Sequence, residues 1–284
     1  MTPPSPGSKK KDQKSLLHEQ RELTESASDI LSPRELEAIA VEISTEAAHL
    51  VHRSLGHARI VSTKTTPTDV VTATDLEVEN VIRHALLART PGASFASEEH
   101  DTLVGHTPIA WVIDPIDGTV NFLYDLPVVA VSIAAKVNGA VVAGAVADVV
   151  RGEMFSAAAG QGARHNGHEV HASSVASLAD ALVATGFAYN ANHRAEEAEV
   201  FSRVLPKARD IRCFGSAALH LCWVACGRVD AFYERGLNDW DVAAGVLLAR
   251  EAGAMVEPAS SNNGDVVIAA SAQIFDPLRR LVIG

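Results

Sequence analysis

Residues 128–137 and 141–149 are two apolar runs joined by Asn138-Gly139. Asn-Gly is favoured where both central residues of a tight turn take a positive φ, as the twist of a two-residue hairpin requires. The chain must therefore carry a long antiparallel hairpin at its middle, and a sheet with cover on its faces to bury it. A second pair, Asn166-Gly167, predicts another hairpin across about 154–172. Residues 109–113 read as a further buried strand.

Helical spacing appears on both sides of this region. Ser32-Pro33-Arg34-Glu35 has the form of a capping box with proline at the first helical position. Leu36, Ile39, Ala40, Ile43, Ala47, Leu50 and Val51 then recur on one face. A second helix is expected over 76–89, with Val78, Val81, Ile82, Ala85 and Leu86 inward and Thr90-Pro91-Gly92 as its stop. The last third alternates, with strands expected over 181–186, 229–234 and 266–270. Helices are expected over 196–208, 216–226 and 241–252. Hairpins followed by such alternation suggest two packed subdomains, 32–172 and 173–284. Residues 1–31 are rich in Pro, Ser, Lys, Glu and Gln, and read as a disordered arm.

Composition narrows the function. Asp and Glu number 35 against 24 Lys and Arg, a formal charge of -11. That balance argues against binding through nucleic-acid phosphates and suits a chain that gathers divalent cations. No apolar run is long enough to span a membrane and no secretory leader is visible, so a cytoplasmic protein is expected. Cys213, Cys222 and Cys226 lack zinc spacing and read as buried thiols in a reducing compartment. His165, His168 and His171 read as surface residues of a hairpin.

The chemistry concentrates at Trp111-Val112-Ile113-Asp114-Pro115-Ile116-Asp117-Gly118-Thr119. An apolar strand runs directly into two acids, and Pro115 and Gly118 predict a tight turn at its end. Two carboxylates about 5 Å apart repel by roughly 3 kcal/mol at an effective dielectric near 20. A divalent cation offsets that cost, and oxygen donors of this kind suit Mg²⁺, Mn²⁺ or Ca²⁺. Gly118 and Thr119 then open a turn whose free N–H groups would seat an anion. Three more acidic segments add weight: Thr72-Ala73-Thr74-Asp75, Ser97-Glu98-Glu99 and Trp240-Asp241. Asp75 and Asp241 each also read as helix N-caps, and Asp114 and Asp117 as residues that cap a turn.

Asp114-Pro115-Ile116-Asp117-Gly118-Thr119-Val120-Asn121-Phe122 and Trp240-Asp241-Val242-Ala243-Ala244-Gly245 resemble the two signatures of the inositol monophosphatase family. The run from Lys64 to Asp75 and the pair Glu98-Glu99 also match, in family order, and the similarity extends from about residue 32 to the C-terminus. The resemblance implies a layered αβαβα sandwich, mixed α+β and α/β, shared with fructose-1,6-bisphosphatases. It implies Mg²⁺-dependent, lithium-sensitive hydrolysis of a phosphomonoester, foremost myo-inositol 1-phosphate. Relatives of this scaffold act on histidinol phosphate, fructose 1,6-bisphosphate or 3′-phosphoadenosine 5′-phosphate. A non-catalytic interaction platform is the reading of another class.

Carried over by position, Glu98, Asp114, Asp117, Asp241 and the carbonyl of Ile116 resemble the ligands of a Mg²⁺ pair. Asp75 resembles the acid of a third, weaker ion. Gly118 and Thr119 match phosphate-binding positions, and Thr119 with Glu98 the pair that orients the attacking water. Ala217, Glu234 and Asp117 match contacts to the substrate's ring hydroxyls; capping and a solvated strand end are the plainer readings of Ala217 and Glu234. Ser97 departs from the family, which commonly has Gly there. The resemblance also implies a homodimer.

Overall fold

The computed structural model describes residues 31–64, 70–259 and 265–284, apart from the side chain of Asn192. Most of the arm expected over 1–31, and residues 65–69 of the Lys64–Asp75 motif, lie outside the described residues.

The element order is α1 (Pro33–Arg53), β1 (Ile60–Thr63), β2 (Val70–Thr72), α2 (Ala73–Arg89), β3 (Ser94–Ser97), β4 (Ile109–Asp117), α3 (Thr119–Leu123), β5 (Ala130–Val137), β6 (Ala140–Asp148) and β7 (Glu153–Ala158). Next come β8 (Ala163–His165), β9 (His168–Val170), β10 (Leu182–Thr185), α4 (Ala191–Val204), β11 (Asp210–Arg212), α5 (Ala217–Ala225), β12 (Ala231–Arg235), α6 (Asp239–Glu251), β13 (Met255–Glu257), β14 (Val266–Ala270) and α7 (Ala272–Ile283).

These build an αβαβα sandwich. A seven-stranded sheet, β3-β4-β5-β6-β7-β8-β9, is antiparallel except for the parallel pair β3 and β4. Helix α1 packs on one face of it, against β5, β6 and β7, with α2 beside α1. Helices α5 and α6 lie on the other face, and α5 also touches β10, β12 and β14 of a five-stranded sheet ordered β11-β10-β12-β14-β13. Helices α4 and α7 pack together, α7 against β12 and β14. Every residue of α5 is buried, as a helix between two sheets must be. Gly245 lets α6 lie close to α5, since a Cβ there would stand 2.6 Å from Leu221 Cβ.

The Asn-Gly turns form as their chemistry requires, with φ of 51° and 83° at Asn138 and Gly139 and 51° and 79° at Asn166 and Gly167. The second hairpin is shorter than expected, spanning β8 and β9, while β7 is a separate strand beyond the glycines at 160 and 162. Helix α2 starts three residues before the expected 76, because Thr72 caps it. Val81 is exposed rather than inward; the buried stripe of α2 is Asp75, Val78, Glu79, Ile82 and Leu86. An apolar-only pattern overlooks the two carboxylates in that stripe. Helix α4 begins at Ala191, before the expected 196. Of the cysteines only Cys222 is fully buried; Cys213 is exposed and Cys226 half-buried. His168 and His171 are exposed as expected, whereas His165 is half-buried and stacks on Phe155 at 4.6 Å between ring centres.

Candidate active site

Strand β4 does not stop at the first acid. Asp114 pairs with Ser132 and Asp117 with Ala130, so β4 carries one extra residue across Pro115 and Ile116. Proline has no N–H for the ladder, and a bulge in place of the expected tight turn accommodates it. The bulge keeps both carboxylates at the strand end. Asp114 and Asp117 are buried, and Asp114 Oδ1 accepts from the Ile116 N–H at 3.0 Å.

The parallel pairing of β3 and β4 supplies the next acid. Ser97 stands opposite Ile113, and the Glu98 N–H donates to Ile113 O at 3.3 Å, so Glu98 emerges beside Asp114. Lys64 Nζ lies 2.6 Å from Glu98 Oε1 and 2.6 Å from Glu99 Oε1. Burial opposes charge on this lysine, but Glu98 and Glu99 raise its pKa above the ordinary value.

Gly118 comes next, with φ 94°. A Cβ there would stand 2.9 Å from Val128 O and 3.1 Å from Gly215 O, so conformation and space both demand glycine. Helix α3 begins immediately after it, and Thr119 Oγ1 donates to Ile116 O at 3.0 Å. The predicted carbonyl and hydroxyl therefore face one another. Asn121 Nδ2 donates to Val128 O at 2.8 Å and to Phe214 O at 2.6 Å, tying this turn to the segment before α5.

Asp117 makes the other tie. Its Oδ2 accepts from Ser216 Oγ at 2.5 Å and from the Ala218 N–H at 2.8 Å, at the start of α5. Ala217 sits between these donors and is buried. Sequence reasoning placed Lys64 and Asn121 in the matched motifs without seeing the contacts they make, and gave no part in the site to Ser216, for which a hydroxyl at a helix N-cap was the hint.

Neither Asp75 nor Asp241 is an N-cap. Each occupies the third position of its helix, behind Thr72 and Asn238. Asp75 Oδ2 accepts from the Thr72 N–H at 2.8 Å and from the Thr72 hydroxyl. Its Oδ1 is buried with no partner, which marks an unfilled oxygen donor. Asp241 Oδ2 accepts from the Asn238 N–H at 2.5 Å.

The acids feel one another. Burial raises the pKa of Asp114 well above the ordinary value, and Glu98, Asp117 and Asp241 push it further. Burial likewise raises Asp241, with Glu98 and Asp117 adding to it. Asp117 is raised by burial despite the bonds from Ser216 and Ala218. Burial brings Asp75 up to about 6, with Glu98 contributing, and Glu99 up to about 7. Burial also raises Glu234, followed by Asp117 and Asp241, so the end of β12 reaches the same field. Glu234 lies against Gly186, where a Cβ would come within 2.2 Å of its Oε1.

Among the described residues, no three His, Cys, Asp or Glu side chains are already closed round one point at ligand distance. The donors nonetheless fit a hard divalent cation. They are carboxylates and a carbonyl, held close enough to repel, with Asp75 Oδ1 unsatisfied. No described helix is long and apolar enough to cross a membrane.

Known proteins resemble this chain in sequence and fold. The model of the inositol monophosphatase family matches residues 32–280. An inositol-1-monophosphatase of Mycobacterium leprae is 43% identical over 269 residues, covering 87% of this chain and 92% of that protein. The crystal structure of the extragenic suppressor protein SuhB from Bartonella henselae superposes with a TM-score of 0.81 at 32% identity, over 86% of this chain and 97% of that one. The structure of Mycobacterium tuberculosis SuhB gives 0.77 at 41% identity, over 89% and 97%. With the family model spanning nearly all of the described residues, this chain belongs to the inositol monophosphatase family.

Proposed function

We propose that the chain is a Mg²⁺-dependent phosphomonoesterase whose substrate is myo-inositol 1-phosphate. The observation that carries this reading is the mutually repelling group of Glu98, Asp114, Asp117 and Asp241, with Asp114 and Asp117 buried and the other two half-buried, beside a turn that only glycine can make at 118. Family membership supports it. These four acids and the Ile116 carbonyl would hold a pair of Mg²⁺ ions, and Asp75 a third. Bound there, Mg²⁺ would supply acidity to a coordinated water and polarise the phosphate oxygens.

The chain's own groups do the rest. Glu98 and the Thr119 hydroxyl orient the attacking water, and the Glu98 carboxylate takes its proton. The backbone N–H groups of Gly118 and Thr119 receive the phosphate. Asp117, the Ala217 backbone and Glu234 contact hydroxyls of the leaving alcohol. Asp117 belongs to both sets, and its bonds to Ser216 and Ala218 hold the leaving-group wall in register with the cation site. The division of labour we propose matches the two sheets: residues 32–172 carry most of the ligands and residues 173–284 the substrate wall. The family resemblance further supports a homodimer, and we place its work in the cytoplasm as part of the same proposal.

Phosphate release from a panel of monoesters tests this. Inositol 1-phosphate should lead histidinol phosphate, fructose 1,6-bisphosphate and 3′-phosphoadenosine 5′-phosphate, with Mg²⁺ required and Li⁺ inhibitory. Preference for another member would move the substrate. Binding to a protein partner without turnover on any ester would favour the interaction platform.

A further inference from the structure

Glu79 lies on α2, one turn after Asp75, and is wholly buried. Its Oε1 accepts from Ser97 Oγ at 2.5 Å and pairs with His100 Nδ1 at 2.7 Å. Its Oε2 accepts from the Glu99 N–H at 2.9 Å. The Arg83 guanidinium stands 3.6 Å from Oε1 and donates to Ser97 Oγ at 2.9 Å. A carboxylate can only accept, so the His100 ring presents Nδ1–H to it. One enclosed group therefore holds residues 97, 99 and 100.

Strand β3 ends at Ser97, so the sheet ladder does not fix residues 98–100. Glu98 keeps one backbone bond to Ile113, and its flanks are held by Glu79. Ser97 strengthens that hold: glycine, common in the family here, has no hydroxyl to close the circuit of Arg83, Ser97 and Glu79. Helix α2 thus delivers Asp75 directly and the Glu98-Glu99 pair through Glu79.

We propose that Glu79 is a positioning residue which, through Ser97, Glu99 and His100, places Glu98 and Glu99 at the cation site and so sets metal affinity rather than substrate affinity. This rests on the metal-dependent reading above. Groups that orient ligands in this manner commonly change metal affinity by about 10–100-fold when altered.

The test is a Mn²⁺ titration of the full chain, read by the EPR signal of free Mn²⁺. Glu79→Gln keeps size but places an amide where two donors converge. It should weaken Mn²⁺ binding by about tenfold and raise the Mg²⁺ concentration for half-maximal phosphate release by a similar factor. KM for the phosphomonoester at saturating Mg²⁺ should stay within about twofold. Ser97→Ala should shift Mn²⁺ binding in the same direction by less. Glu37→Gln is the control: Glu37 is also buried, accepts from Ser156 Oγ at 2.8 Å and Arg34 Nη1 at 2.8 Å, and sits on α1. It should lower the unfolding midpoint and leave Mn²⁺ affinity unchanged.

Wild-type Mn²⁺ affinity in Glu79→Gln overturns the inference, as does equal weakening in Glu37→Gln. Should Glu79→Gln fail to fold, Ser97→Ala and His100→Ala decide, and unchanged affinity in both overturns it. If the wild-type chain takes up no Mn²⁺, the functional reading falls and this inference with it; normal uptake by the wild type with no change in Glu79→Gln removes this inference alone.

Discussion

Gly118→Ala isolates the turn that carries the proposed phosphate seat. Two costs add there. An L side chain in the left-handed region costs about 1–2 kcal/mol. The new Cβ would also meet Val128 O at 2.9 Å and Gly215 O at 3.1 Å, both backbone atoms from different segments. Val128 O is already engaged by Asn121 Nδ2, so it moves only by straining that bond. Overpacking of this kind costs about 1–3 kcal/mol. The expected destabilisation is about 2–5 kcal/mol, measured by urea unfolding. Because the turn carries Thr119 and adjoins Asp117, displacement by about 1 Å should cut turnover by roughly 100-fold. Gly139→Ala supplies the internal control. Its φ is 83°, but nothing lies within 4 Å of a Cβ there. It should lose only the conformational part, about 1–2 kcal/mol, with turnover intact. Equal losses in the two variants, or full activity in Gly118→Ala, would refute the argument that the turn is clamped between the Val128 and Gly215 carbonyls.

The folded chain without metal holds the Asp75 proton up to about 6, against an ordinary 3.8. The folded state therefore binds that proton more tightly than the unfolded state, and stability from this group is full below about pH 4 and lost as pH rises through 6. The loss is about 3 kcal/mol, and Asp75→Asn should remove that pH slope in EDTA-treated protein; an unchanged slope in unfolding measurements between pH 4 and 8 would contradict it. Glu234→Gln should lower kcat/KM for inositol 1-phosphate about tenfold relative to a simple aryl phosphate, by weakening a charge-assisted hydrogen bond; an unaltered ratio would remove Glu234 from the substrate wall.

The sequence was most informative where local chemistry dictates geometry. Asn138-Gly139 and Asn166-Gly167 allow few conformations, and both hairpins formed on them. Ser216 caps α5 through the Leu219 N–H at 3.3 Å, close to the expected helix start. Local rules failed where tertiary contacts outweigh them. Pro115 suggested a break, yet the neighbouring strands carry β4 past it as a bulge. Pro277 lies inside α7, a helix that helix-stop reasoning passes over. On α2 the buried face includes Asp75 and Glu79, so polarity alone misassigns Val81 to the interior. The acids of the candidate site were legible as a set of motifs. The partners that hold them were not: Ser216 lies 99 residues from Asp117, and Lys64 lies 34 from Glu98.

A crystal soaked in Mn²⁺ and measured at the manganese absorption edge tests the central claim most directly. The account predicts anomalous peaks among Glu98, Asp114, Asp117 and Asp241, with Lys64 Nζ withdrawn from Glu98 as the cation takes its place. Ordered protein with no peak among those carboxylates, or manganese held only elsewhere on the molecule, would contradict it.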